Sequence, residues 1–139
     1  MKHLKDLQVR AVELLRPGYA VLRLTDKEVF PEMQPGQFVE IRVDGSPETF
    51  LRRPISINFV DRDSNELWLL VHAVGKGTEI LTKMREGDKL NCLYPLGRGF
   101  SMPSEPQQRL LLIGGGVGTA PLLYFGKLLR EAGHEPVFL

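Results

Sequence analysis

The sequence is poor in most of the groups on which metal and hydrolytic sites are built. It holds a single cysteine, Cys92, so no internal disulfide can form, and a lone thiol cannot by itself ligate zinc or an iron–sulfur cluster. Cys92 is therefore expected to be a buried packing residue. Charge of one sign is lacking too: 18 basic residues face 17 acidic ones, for a net charge of +1, which gives no field that favours nucleic acid or an anionic membrane. No nucleic-acid partner and no membrane are expected. No stretch approaches the roughly 18 uninterrupted apolar residues of a membrane span, and residues 1–10 mix charges among the apolar positions. We expect a cytoplasmic protein on this basis. No Ser/His/Asp set, carboxylate pair or metal-ligand cluster stands out, so no catalytic residue and no metal site is assigned.

What is present is an ordinary globular composition, 139 residues with 42% hydrophobic and 25% charged, enough for one full domain with some chain left over. From Leu7 to about Leu93, short runs of alternating apolar and polar residues are separated by Pro, Gly and Asp, the pattern of half-buried strands in a sandwich or barrel. Residues 7–15 and 19–25 flank Arg16-Pro17-Gly18 as a hairpin, and residues 37–43 follow Pro35-Gly36. Residues 52–60, 66–74 and 89–97 give three more candidates, making six, which suffices for a small closed barrel. Between the last two, residues 78–84 read as a short helix with Thr78 as N-cap and Ile80, Leu81 and Met84 on one face.

The period changes near the end of the chain. RLLLIGGG (109–116) is an apolar run ending in glycines, APLLYFGKLLREAG (120–133) has helical spacing, and HEPVFL (134–139) begins another strand. These residues read as the opening of a parallel βαβ unit. MPSEPQQ (102–108) is the natural boundary, giving a barrel over 1–104 and a second unit over 105–139.

Three features could carry chemistry. In Ile113 to Pro121, glycines between a buried strand and a proline-opened helix let the backbone approach a ligand, and free N–H groups at a helix start attract phosphate. A tight turn needing positive φ explains the same glycines. In Leu51 to Ile57, Arg53, Ile55 and Ile57 share one strand face while Arg52 and Ser56 take the other. Pro54 removes a ladder donor there, which places this strand at an edge or opening. Arg53 could clamp a phosphate and Ser56 could hydrogen-bond a ring nitrogen, or both arginines could simply be solvated. Lastly, Gly75-Lys76-Gly77-Thr78 combines flexible backbone, a cation and a hydroxyl before the short helix. It reads as an anion site or as a plain helix cap. His72, alone at a strand end, reads as structural.

In order, PGQFVEIRV (35–43), LRRPISI (51–57), VHAVGKGTEIL (71–81), REGDKLNCLYPLGRGF (85–100) and LLLIGGGVGTAPL (110–122) resemble the ferredoxin-reductase superfamily. Within it they are most similar to electron-transfer subunits of NAD-dependent dihydroorotate dehydrogenases. Five blocks in family order outweigh the bland alternatives. The resemblance implies a mainly β fold: a six-stranded antiparallel FAD-binding barrel followed by the first strand–helix unit of a truncated α/β NAD-binding domain. It implies that Arg53 contacts the FAD pyrophosphate, Ser56 bonds near the flavin N5, and Pro54 and Ile55 line the isoalloxazine. The superfamily often has an aromatic residue where this chain has Ile55. Leu70, Val71 and His72 match the next contact strand. Gly77 and Thr78 match the pyrophosphate turn, and Gly114, Gly115, Gly116, Gly118 and Thr119 match the start of the NAD site.

The same resemblance implies a partner, an FMN-containing dihydroorotate dehydrogenase catalytic subunit, with electrons passing through a 2Fe-2S cluster to FAD and then NAD. NAD binding and the cluster are expected only of a full-length parent. The chain is thus read as a fragment that does not complete the relay alone and that self-associates. Two rivals share the blocks in part. One is a subunit exchanging electrons between NAD(P)H and ferredoxin or sulfur compounds, against which Arg-Pro-Ile-Ser leans. The other is a non-catalytic FAD-binding or assembly module.

Overall fold

The computed structural model describes residues 1–106 and 109–139; Gln107 and Gln108, at the end of the expected boundary segment, lie outside the described residues. Six strands close into an antiparallel barrel in the order β1-β2-β5-β4-β3-β6. They are β1 (His3–Arg16), β2 (Tyr19–Thr25), β3 (Phe38–Ile41), β4 (Arg53–Asp61), β5 (Glu66–His72) and β6 (Lys89–Leu96). The expected hairpin forms, with Gly18 at φ 81° where a side chain would be strained. Strand β1 begins at His3 rather than Leu7. Its first half pairs with β6, from His3↔Tyr94 to Gln8↔Lys89, and its second half with β2. That closing contact spans the length of the barrel, which is why local alternation missed it.

Period-two alternation sends Leu7, Val9, Leu22, Leu24, Ile57, Leu67, Leu69 and Leu90 into one core with hardly any exposure. Each such side chain contributes about 1.5–3 kcal/mol when fully buried. Between β5 and β6, helix α1 (Lys76–Thr82) covers one end of the barrel with Leu81, fully buried, while Ile80 and Met84 pack at the rim. The helix starts two residues earlier than the sequence reading put it. Gly75 is the N-cap, and Thr78 sits inside the first turn, where its hydroxyl accepts from the N–H groups of Val74 (3.0 Å) and Gly75 (3.1 Å). A hydroxyl reaching backwards caps as well as one reaching forwards, so the residue type alone did not fix the register.

After the barrel come β7 (Leu111–Leu112), a 3-10 turn over Gly116–Thr119, α2 (Ala120–Glu131) with Pro121 in its first turn, and β8 (Val137–Phe138), parallel to β7. The βαβ opening is as expected, but the apolar run 109–113 is not a buried strand. Leu111 is 55% and Ile113 65% exposed, because α2 covers only one face of the pair. Helix α2 lies against β4, so barrel and βαβ unit are packed on one another.

Cys92 has no exposure, and burial pushes its thiol up to about 12. The native protein should therefore resist a thiol reagent at pH 8 and react only on unfolding. An unfolded thiol ionises near about 8.5. The unfolded state thus gains from ionisation first, and Cys92 lowers stability as pH rises from there towards 12. Stoichiometric labelling of the native protein within minutes would contradict this burial.

Candidate functional site

Strand β4 is paired on both sides for only part of its length. Its first residues pair with β3, from Ile41↔Arg53 to Phe38↔Ser56, whereas its pairing with β5 begins at Ile57↔Leu69. Beyond that point β4 and β5 diverge. A cleft of about 570 Å³, counting its open mouth, fills the gap. One wall is Pro54, Ile55 and Ser56 and the other is Leu70 and His72, with Val74 and Thr78 at the α1 end. The expected opening beside Pro54 is thus a splayed seam in a closed barrel, not a free sheet edge. Two wide apolar walls with a few hydroxyls and a ring suit a flat, mostly apolar ligand.

Alternation sorts the residues of the two walls. Leu70 and His72 line the cleft, but the Val71 side chain has no exposure and lies in the core, so Val71 can offer a ligand only its main chain. Ile55 is 9% exposed and bridges core and cleft. The His72 ring stacks on Tyr19 with centroids 4.0 Å apart and planes 9° apart, and the Arg16 guanidinium lies over the Tyr19 ring, 4.1 Å from its centroid. That arrangement holds the imidazole by its face rather than aiming it as an acid or base.

The two expected anion sites meet. A Cβ added at buried Gly77 would lie 3.1 Å from Arg53 Nε and 3.4 Å from its Cγ, so the Arg53 side chain runs directly along the first turn of α1. A side chain at this position would force Arg53 or Thr49 to give way by a few tenths of an ångström. Among the described residues Arg53 donates one bond, to the Leu51 carbonyl at 3.3 Å, which leaves most of its planar fork uncommitted there. Arg52 is the opposite case. It donates to the carbonyls of Glu40 (3.3 Å) and Asn91 (3.1 Å) and to Asn91 Oδ1 (2.5 Å), tying β3 to β6. The Lys76 ammonium is paired with Glu48.

Val117 and Ala120 form the remaining side of the cleft, so the glycine turn faces the barrel across it. The glycines there serve different ends. Gly116 has φ 56°, and Gly115, Gly116 and Gly118 have open space where a Cβ would be. At Gly114 a Cβ would come within 2.8 Å of Thr119 Cα and 2.9 Å of Leu122 Cδ1, so this position is required by packing between strand and helix. The Thr119 hydroxyl donates to the Gly116 carbonyl at 2.8 Å, closing the turn on itself. Val74, Val117 and Ala120 were not singled out in the sequence, since apolar residues carry no local signal. Among the described residues no group of three or more His, Cys, Asp or Glu could hold a metal, and no helix is long and apolar enough to cross a membrane.

Barrel, seam and facing glycine turn define the ferredoxin-reductase type of electron-transfer fold. A NADH-dependent reduced ferredoxin–NADP oxidoreductase, studied for flavin-based electron bifurcation, superimposes with TM-score 0.83 at 28% identity, over 99% of this chain and 49% of that one. The ferredoxin reductase of a carbazole 1,9a-dioxygenase gives 0.84 at 22%, over 99% and 42%, a likeness of fold alone. In sequence the chain is a relative of the electron-transfer subunit of dihydroorotate dehydrogenase B (NAD(+)). It is 40% identical to that of Desulforamulus reducens over 89% of this chain and 47% of the relative. To that of Lysinibacillus sphaericus it is 43% identical over 79% and 43%. The chain spans about half the length of the curated relatives it matches. No protein-family model matches it.

Proposed function

We propose that the seam between β4 and β5 binds FAD, and that the chain is the flavin-holding part of an oxidoreductase electron-transfer subunit. The observation that carries this reading is the convergence of Arg53 and Gly77 beside a flat apolar cleft. A planar guanidinium next to first-turn backbone N–H groups suits a pyrophosphate, and the cleft suits the ring attached to it. Pro54, Ile55 and Leu70 would flank the ring. Ser56 would hydrogen-bond near its reactive nitrogen, and Arg53, Gly77 and Thr78 would hold the phosphates. Bound there, FAD supplies two-electron exchange with NAD and one-electron exchange with an iron–sulfur cluster. This chain's residues contribute position, exclusion of water from one face and a hydrogen bond that tunes the ring.

The relatives are named as electron-transfer subunits of a dihydroorotate dehydrogenase that uses NAD(+), which supports a flavin standing between dihydroorotate oxidation and NAD. We infer that the partner is an FMN-containing catalytic subunit and that a 2Fe-2S cluster lies between the two flavins. Gly115, Gly116 and Gly118 would offer N–H groups to the phosphates of NAD. The domain division at 104/105 and a cytoplasmic location belong to the same reading.

Titration of the flavin-free protein with FAD, read by flavin fluorescence, tests the proposal. Saturable 1:1 binding is expected, and a protein that never takes up flavin overturns it in favour of an assembly module. Ser56→Ala should leave that affinity within about tenfold, since one neutral hydrogen bond contributes about 1 kcal/mol. It should shift the flavin reduction potential, measured against a reference dye. An unchanged potential would mean that Ser56 does not reach the ring.

A further inference from the structure

The glycine turn does not reach the cleft by chance of packing. It is held there by β4, the strand that also forms one cleft wall. In β4, Ile57 and Val60 point into the core while Asn58 and Phe59, consecutive residues, both point outwards. The pairing with β5 records the irregularity, as Ile57 faces Leu69 and Phe59 faces Trp68, one step on β5 for two on β4. Asn58 is the extra residue of a β-bulge, a device that re-aims a side chain beside functional sites. Asn58 is 6% exposed and its Nδ2 donates at 2.8 Å to the carbonyl of Ala120, the first residue of α2 and itself part of the cleft wall. Ser56, on the β4 wall of the cleft, lies two residues away on the same strand, about 7 Å along it.

From this geometry we propose that Asn58 is a positioning residue that sets the gap between the glycine turn and the cleft, and hence the approach of a nucleotide on the turn to a ring in the cleft. The inference rests on reading the cleft as the flavin site. A second anchor acts one turn further along α2, where the buried Tyr124 hydroxyl donates to the Met33 carbonyl at 3.0 Å and its ring meets Phe59 edge-on. The turn itself is only weakly tied, through Gly118 N–H to the Gly115 carbonyl and Thr119 to Gly116. The Asn58 bond therefore anchors the end of the turn to the barrel at a residue of the cleft wall.

The test compares the 139-residue protein with Asn58→Leu, which keeps the branched shape but removes the donor, and with Tyr124→Phe as a second variant that keeps the Asn58 bond. Amide hydrogen exchange and iodide quenching of bound FAD are read in each. In Asn58→Leu, exchange over residues 115–124 should rise by at least about fivefold, the loss of one buried hydrogen bond. Iodide should quench the flavin more steeply, FAD affinity should change less than threefold, and β2 amides should keep their protection. Tyr124→Phe should raise exchange in the same segment. Unchanged exchange and quenching in both variants would overturn the proposal, as would loosening of the whole barrel with no change specific to the turn. A wild-type protein that does not bind FAD would sink the flavin reading, and the exchange data alone would then decide whether Asn58 holds the turn.

Discussion

Replacing Arg53 by Ala should weaken FAD binding by roughly tenfold to a hundredfold, the loss of a charge-assisted hydrogen bond worth about 1.5–3 kcal/mol, while the fold survives. The fold survives because Arg53 holds little of it together: one bond at 3.3 Å to a carbonyl two residues away. Gly77→Val should weaken binding comparably without touching the charge, because its Cβ would intrude within 3.1 Å of Arg53 Nε and 3.2 Å of Thr49 Cγ2. Arg52→Ala should behave in the reverse manner. Its three bonds to Glu40 and Asn91 join β3 to β6, so that variant should melt earlier yet bind FAD almost as well once folded. Isothermal titration and thermal unfolding on the three variants separate the effects. Equal loss of affinity from Arg52→Ala and Arg53→Ala would deny Arg53 its special place.

The second large effect concerns NADH. This 139-residue chain should show flavin bleaching by NADH that is slow and linear in NADH, with no plateau. A doubly wound nucleotide site lies in a crevice at the carboxyl ends of several parallel strands, and here β7 and β8 pair over two residues each. Gly115, Gly116 and Gly118 can face a phosphate, but the described residues offer nothing to press a nicotinamide against the ring. Positioning supplies much of the rate of such transfers, up to about 7–11 kcal/mol in well-oriented systems, so its loss dominates the kinetics. The same bare strands, with Leu111, Ile113 and Val137 more than half exposed, should draw two copies together. Stopped-flow absorbance and light scattering check both halves. Fast, saturable bleaching would contradict the first, and a strictly monomeric particle the second.

The barrel was legible in the sequence because its strands alternate with period two and are punctuated by Gly18, Gly36 and Gly87, all at positive φ. Closure itself followed from the strand count, but the pairing that makes it did not, since His3 and Tyr94 lie 91 residues apart. The same division runs through the site. Arg53, Ser56 and Gly77 could be picked out locally, but that Arg53 lies along Gly77 follows from how α1 caps the barrel, which no local pattern encodes. The position of Val71 was legible and overlooked: alternation from Leu70 and His72 already directs it inwards. Asn58 was not legible at all, because a bulge breaks the alternation that would have been used to place it. The run ending at Ile113 was misread for a related reason. Uninterrupted apolar residues signal burial on both faces, and this chain covers only one.

The claim on which the rest depends is that the seam between β4 and β5 holds a dinucleotide flavin by its ring and its pyrophosphate together. Flavin-free protein should be offered equimolar FAD and FMN, freed of unbound cofactor, denatured, and the released flavin identified by mass spectrometry. FAD in large excess, reduced towards parity in Arg53→Ala, is the expected result. Recovery of FMN alone, or the same FAD preference with and without Arg53, would contradict it.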